Sequence, residues 1–111
     1  MSVRLTSKLV LERLEAVPDG AGGMHENWVP LGVFWGEVKP RSGRETAGEA
    51  GQVSVAGFRI VVRGQPQGHS ARPLPEQRFR DGARVFRINS VTEADPGGRH
   101  LLCFCDEEVA T

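Results

Sequence analysis

Apolar side chains recur at every second position in several short runs, and no run carries the three-to-four spacing of a long helix. The most informative is Val33-Phe34-Trp35-Gly36-Glu37-Val38-Lys39. Val33, Trp35 and Glu37 fall on one face of an extended segment and Phe34, Gly36 and Val38 on the other. Large apolar groups therefore point both ways, as in a strand enclosed in a small barrel, and Trp35 is expected to anchor the core. Pro40 ends the run because it cannot donate to a ladder.

The remaining runs support this one. Lys8–Val17 alternates loosely and is taken as a strand, although Leu-Glu-Arg-Leu-Glu-Ala also suits a helical turn. Pro18-Asp19-Gly20-Ala21-Gly22-Gly23 is a turn signal, so a hairpin should lead into Met24–Val29 with Trp28 on the buried side. Pro30-Leu31-Gly32 reads as a short break. Gln52–Arg63 resumes the sheet with Phe58, Ile60 and Val62 facing in, and Gly57 is expected to mark a bulge or bend. Gly64–Pro75 is too rich in proline for regular structure, and Glu76–Arg80 suits a turn or a short strand. Asp81-Gly82 makes a corner into Ala83–Val91, where Phe86 and Ile88 face in and Arg87 and Asn89 face out. Asp95-Pro96-Gly97-Gly98 returns the chain as Arg99–Asp106. About six short strands separated by Gly/Pro turns make a mainly β protein, a small antiparallel β-barrel with long loops. Its expected parts are an arm over residues 1–7, one barrel domain over 8–106 and an acidic tail over 107–111.

Composition changes the picture little. The 111 residues suit one domain, and the net charge is zero, which gives no global pull toward nucleic acid or membrane. The distribution is uneven, however. Residues 40–90 hold nine Arg against four acids, whereas residues 91–111 hold Arg99 against five acids. A basic middle and an acidic end suit head-to-tail contacts between copies, with Arg59, Arg63, Asp106, Glu107 and Glu108 as candidate contacts. A mixed solvated surface is the plainer alternative. Cys103 and Cys105, two apart on a strand, share a face without favouring a disulfide and are read as reduced core or interface residues. There is no apolar run near 18 residues and no signal-peptide pattern, so neither membrane spanning nor secretion is supported.

Catalysis has little to work with. His25, His69 and His100 lie on three separate segments without metal-ligand spacing to each other or to the cysteines, and no P-loop, dinucleotide fingerprint or nucleophile elbow occurs. No catalytic, metal or cofactor residues are therefore assigned. A phosphate-backbone reader is the rival class, since Arg59, Arg63, Arg78, Arg80, Arg84 and Arg87 could line one barrel face; most of the seven aromatics, though, fall where a small core would claim them. The polar segment Arg41–Gly51 is a long excursion, and loops of that length are commonly functional or disordered.

The strand Trp35-Gly36-Glu37-Val38-Lys39-Pro40 followed by Ser42-Gly43-Arg44-Glu45, the strand Phe58–Arg63, then Asp81-Gly82, Val85-Phe86, Ile88 and the Leu101-Leu102-Cys103 run resemble the head–tail joining proteins of tailed bacteriophages, also called head-completion, adaptor or stopper proteins. The resemblance spans roughly residues 8 to 106. It implies a non-enzymatic virion protein of a phage, prophage or gene transfer agent. Such a protein forms a ring of six or twelve copies between a portal-side connector or adaptor ring and a tail-completion protein. Packaged DNA passes through its lumen without sequence-specific binding, and no membrane is involved. The loop carrying Arg41, Arg44, Glu45 and Glu49 corresponds to one that in this family reaches toward the ring axis, although the Gly-rich Ala47–Gly51 departs from the bulkier residues of common members. A stand-alone β-barrel binding module for protein or nucleic acid, or a tail-completion protein, is the alternative.

Overall fold

The computed structural model describes residues 3–41, 57–66 and 68–108. Six strands form, β1 (Ser7–Pro18), β2 (Met24–Pro40), β3 (Gly57–Arg63), β4 (Arg78–Asp81), β5 (Arg84–Glu93) and β6 (His100–Glu108). All neighbours are antiparallel, and the sheet closes as a barrel in the order β1-β2-β3-β6-β5-β4, with β4 returning to β1 through Val10–Arg80, Leu11–Phe79 and Glu12–Arg78. Closure leaves no edge around the barrel itself. The expected barrel is therefore the observed one.

Alternation decides what fills it. Leu9, Leu11, Ile60, Val62, Phe79, Phe86, Ile88, Leu101, Cys103 and Cys105 are buried together. Phe34 and Phe58 pack on this cluster edge to face, with ring centroids 5.9 Å from Phe79 and 5.2 Å from Phe86. Both cysteines are reduced, as read from their spacing, and burial pushes the Cys103 thiol up to about 12.

Trp35 is a correction. It stands 54% exposed and Val33 55%, because the inward face of β2 is the smaller set Phe34, Gly36 and Val38. A six-stranded barrel has a narrow interior. A Cβ on Gly36 would lie 2.8 Å from Leu9 Cδ1 and 3.1 Å from the Val61 carbonyl oxygen, so the leucine of β1 occupies the space a side chain there would need. Trp35→Ala is accordingly expected to change stability by less than about 1 kcal/mol, as exposed substitutions usually do. A denaturant melt showing a loss of several kcal/mol would restore Trp35 to the core.

Further expectations change. Pro30-Leu31-Gly32 does not break β2. The pairing slips there, Leu11 facing Gly32 while Glu12 faces Pro30, so Leu31 is the extra residue of a β-bulge that absorbs the proline. Gly57 begins β3 and marks no bulge, since the pairings of β3 with β2 and β6 run without a slip. Residues 52–56, expected in the same strand, lie outside the described residues. Ser7 already pairs in β1, and Arg4 of the expected arm donates its amide to Glu37 Oε2 at 3.1 Å. At the other terminus β6 continues to Glu108, so Glu107 and Glu108 are ladder residues facing Phe86 and Val85 rather than a tail.

The β1–β2 hairpin is longer than the barrel needs. Arg13–Pro18 pairs only with Met24–Val29, beyond the reach of β3 and β4 among the described residues. Its turn is tied by Asp19, whose Oδ1 accepts from the amides of Ala21 at 2.8 Å and Gly23 at 3.0 Å. Those bonds hold the Asp19 carboxyl below its usual range.

Candidate functional site

With the interior packed by side chains, function falls to the outer wall and the two ends. At the end where β6 finishes, each acidic residue of β6 has a partner within the chain. Arg84 grips Glu107 with two bonds, Nε to Oε2 at 2.9 Å and Nη2 to Oε1 at 3.0 Å, which holds that carboxyl below its usual value. The same guanidinium closes over the rings of Phe86 and Phe58, at 4.9 and 5.4 Å from their centroids. Arg87 reaches Glu108 and Glu76, both at 3.2 Å. Asp106 accepts from Asn89 Nδ2 at 3.1 Å and faces Arg41 Nη2 at 3.5 Å. Arg41 lies over Gly57, where a Cβ would collide with its guanidinium, and 5.9 Å from the ring centre of Phe104. That close approach is why a glycine suits the start of β3.

A second cluster sits where β1, β2, β4 and β5 meet. Glu12 is only 4% exposed, yet points outward, since Leu11 beside it faces the core. Arg78 Nε donates to its Oε1 at 2.7 Å and Arg80 Nε to its Oε2 at 2.9 Å. Burial alone would raise the Glu12 carboxyl, but the two hydrogen bonds and the two positive charges outweigh it and hold the group below its ordinary 4.5. Trp28 completes the cluster, with the Arg78 guanidinium 4.0 Å and that of Arg87 5.4 Å from the centre of its indole. Trp28 is thus half-buried under arginines and not in the barrel core.

The arginines expected to line a single face are divided by this geometry. Arg78 and Arg80 are committed to Glu12, and Arg84 and Arg87 to the acids of β6. Arg59 and Arg63 stand exposed on β3, and neither makes an ion pair among the described residues. Of the loop candidates, Arg41 is placed as above, whereas Arg44, Glu45 and Glu49 lie outside the described residues. No three His, Cys, Asp or Glu side chains gather as a metal set among the described residues, and no described helix is long and apolar enough to cross a membrane. The Glu12 cluster was not singled out from the sequence, though Arg78-Phe79-Arg80 around a core phenylalanine is its signal.

A family model described as phage head completion protein matches residues 1–108. The chain belongs to that family. A head completion protein is a structural component of the virion at the head–tail interface, and that is where this chain acts. Among solved structures it is similar to a chain in the virion of a native gene transfer agent particle, at 49% identity and a TM-score of 0.80, covering 99% of this chain and all of that one. Protein SF1141 from Shigella flexneri 2a shares the fold, with a TM-score of 0.70 at 19% identity over 97% of this chain and 96% of its own. None of the curated proteins compared matches.

Proposed function

We propose that this head completion protein forms a closed ring on the portal-side connector, holds packaged DNA in the head and offers the surface on which the tail docks. The observation that carries the reading is the 49% identity to a virion chain over essentially full length, together with the family match over residues 1–108. The geometry agrees with a wall element. A barrel whose ladder closes on itself is rigid without a partner, so its outer surface is free for neighbours. Arg59 and Arg63 are the charged contacts it offers, whereas Asp106, Glu107 and Glu108 would meet a neighbour as ion pairs with Arg41, Arg84 and Arg87 rather than as bare charges. DNA in the lumen would be met by hydrated polar groups, which need no sequence-specific contact.

Exposed pairs are worth about 0–1 kcal/mol each, so they bias assembly without driving it. The free chain is expected to be monomeric in dilute solution and to form a ring of six or twelve copies only on its connector. Native mass measurement of the chain, alone and mixed with the connector, checks this; a chain that stays monomeric beside a competent connector sinks the ring. The rival nucleic-acid reading gains one feature, the exposed Trp35 opposite Lys8, but four of the seven aromatics pack in the core, leaving no row of stacking rings.

A further inference from the structure

Among the described residues, two strand surfaces leave large apolar side chains exposed. One is the free part of the β1–β2 hairpin. A two-stranded hairpin is marginal in water by itself, and this one projects with Met24 61% and Leu14 38% exposed. Its charged groups are mainly acidic, Glu15, Asp19 and Glu26 against Arg13. The other is the barrel wall at Val33 and Trp35, more than half exposed. Its rim is basic: Lys8 faces Trp35 directly across the ladder, and Arg63 follows Val62, which pairs with Gly36. Each surface combines exposed apolar side chains with an excess of one charge, acidic on the hairpin and basic on the wall, where Glu37 shares the face of Trp35 but is engaged by the Arg4 amide and Lys39.

They cannot meet within one chain. Met24 and Trp35 are eleven residues apart on the same strand, about 36 Å at the usual rise of a strand. We propose that the hairpin tip of one copy seats on the Val33–Trp35 wall of the next, with Leu14 and Met24 against the apolar patch and Glu26, which shares their face of the hairpin, against Lys8 and Arg63. This rests on the ring reading and names its subunit contact. Giving with one surface and receiving with another is the heterologous order that a ring requires. The strong twist of a two-stranded ribbon turns the tip out of the plane of the wall, so giving and receiving can repeat from copy to copy. The contact also supplies the hairpin with the packing that it lacks alone.

The test uses assembled particles in which benzoylphenylalanine replaces Met24, irradiated and then denatured. A ladder of dimer, trimer and higher species of this chain is expected, with the crosslink mapped to the peptide around Val33–Trp35. In parallel, Trp35→Ser is expected to lower ring occupancy on the connector at least tenfold while leaving the monomer's melting temperature within a few degrees. Crosslinks to another virion protein, to another part of this chain, or none at all, with the ring count intact by native mass, would overturn the hairpin contact and leave the ring standing. Dimers that never extend would overturn the head-to-tail order. Failure to form any ring on the connector would overturn the ring reading itself.

Discussion

Phe86→Ala is expected to cost about 3–5 kcal/mol, the range for removing a fully buried phenylalanine. The ring has no exposed surface, stands edge to face with Phe58 at 5.2 Å, and faces Phe79 across the β4–β5 ladder. Its loss would open a cavity between elements that cannot collapse together, because the strands around it are held in a closed ladder. Arg84 would lose one of the two rings that it covers, and with it part of the seal at that end of the barrel. Against a typical total of about 5–15 kcal/mol, such a loss leaves a small domain close to unfolding. Phe86→Leu keeps most of the volume and is expected to cost less than about 2 kcal/mol. Urea melts of the two variants should therefore be well separated; if Phe86→Ala melted within about 1 kcal/mol of the parent, the ring would not be a core element.

How far such positions are legible in the sequence depends on whether a strand has one apolar side or two. Phe86 and Ile88 alternate with Arg87 and Asn89, so the inward face of β5 could be read directly, and the same holds for Phe58, Ile60 and Val62 beside Arg59 and Arg63. In β2 both faces are apolar, and residue size misleads. Trp35 is larger than anything on the opposite side, but the barrel interior there belongs to Leu9, whose side chain fills the space over Gly36. That is a contact between strands brought together by the fold, not a property of the run itself. Pro30 misled in the same way, since a bulge at Leu31 can carry a proline through a strand. The acidic residues of β6 were legible as a cluster, but not as partners of Arg84 and Arg87. Their pairing depends on β5 and β6 lying side by side, with Phe86 facing Glu107. As for the charged cluster, Glu12 does not differ in sequence from a surface residue at a strand position, and Trp28 reads as a core residue. Only closure of β4 onto β1 brings Arg78 and Arg80 to them.

Glu12→Gln is expected to destabilise the barrel by about 2–3 kcal/mol, with a pH signature that separates charge from shape. Hydrogen bonds to a charged group contribute about 1.5–3 kcal/mol, and removing one partner of a buried pair costs more because the other charge is stranded. Here the stranding is partial, since the side chains of Arg78 and Arg80 keep 17% and 40% of their exposure and stay in reach of water. Gln has nearly the same volume, but it replaces one acceptor oxygen with an amide that repels the guanidinium facing it. Because the folded carboxyl sits below its ordinary 4.5, the ion cluster's contribution is fully present above that pH and fades as pH falls through the lower folded value. Parent and variant should therefore differ by the full amount at pH 7 and converge as pH falls through the lowered folded value, where the parent's Glu12 takes up a proton. Convergence is the decisive observation. A gap that persists unchanged into acid would show that Glu12 acts through packing alone and that the two arginines are held by Trp28 and solvent instead.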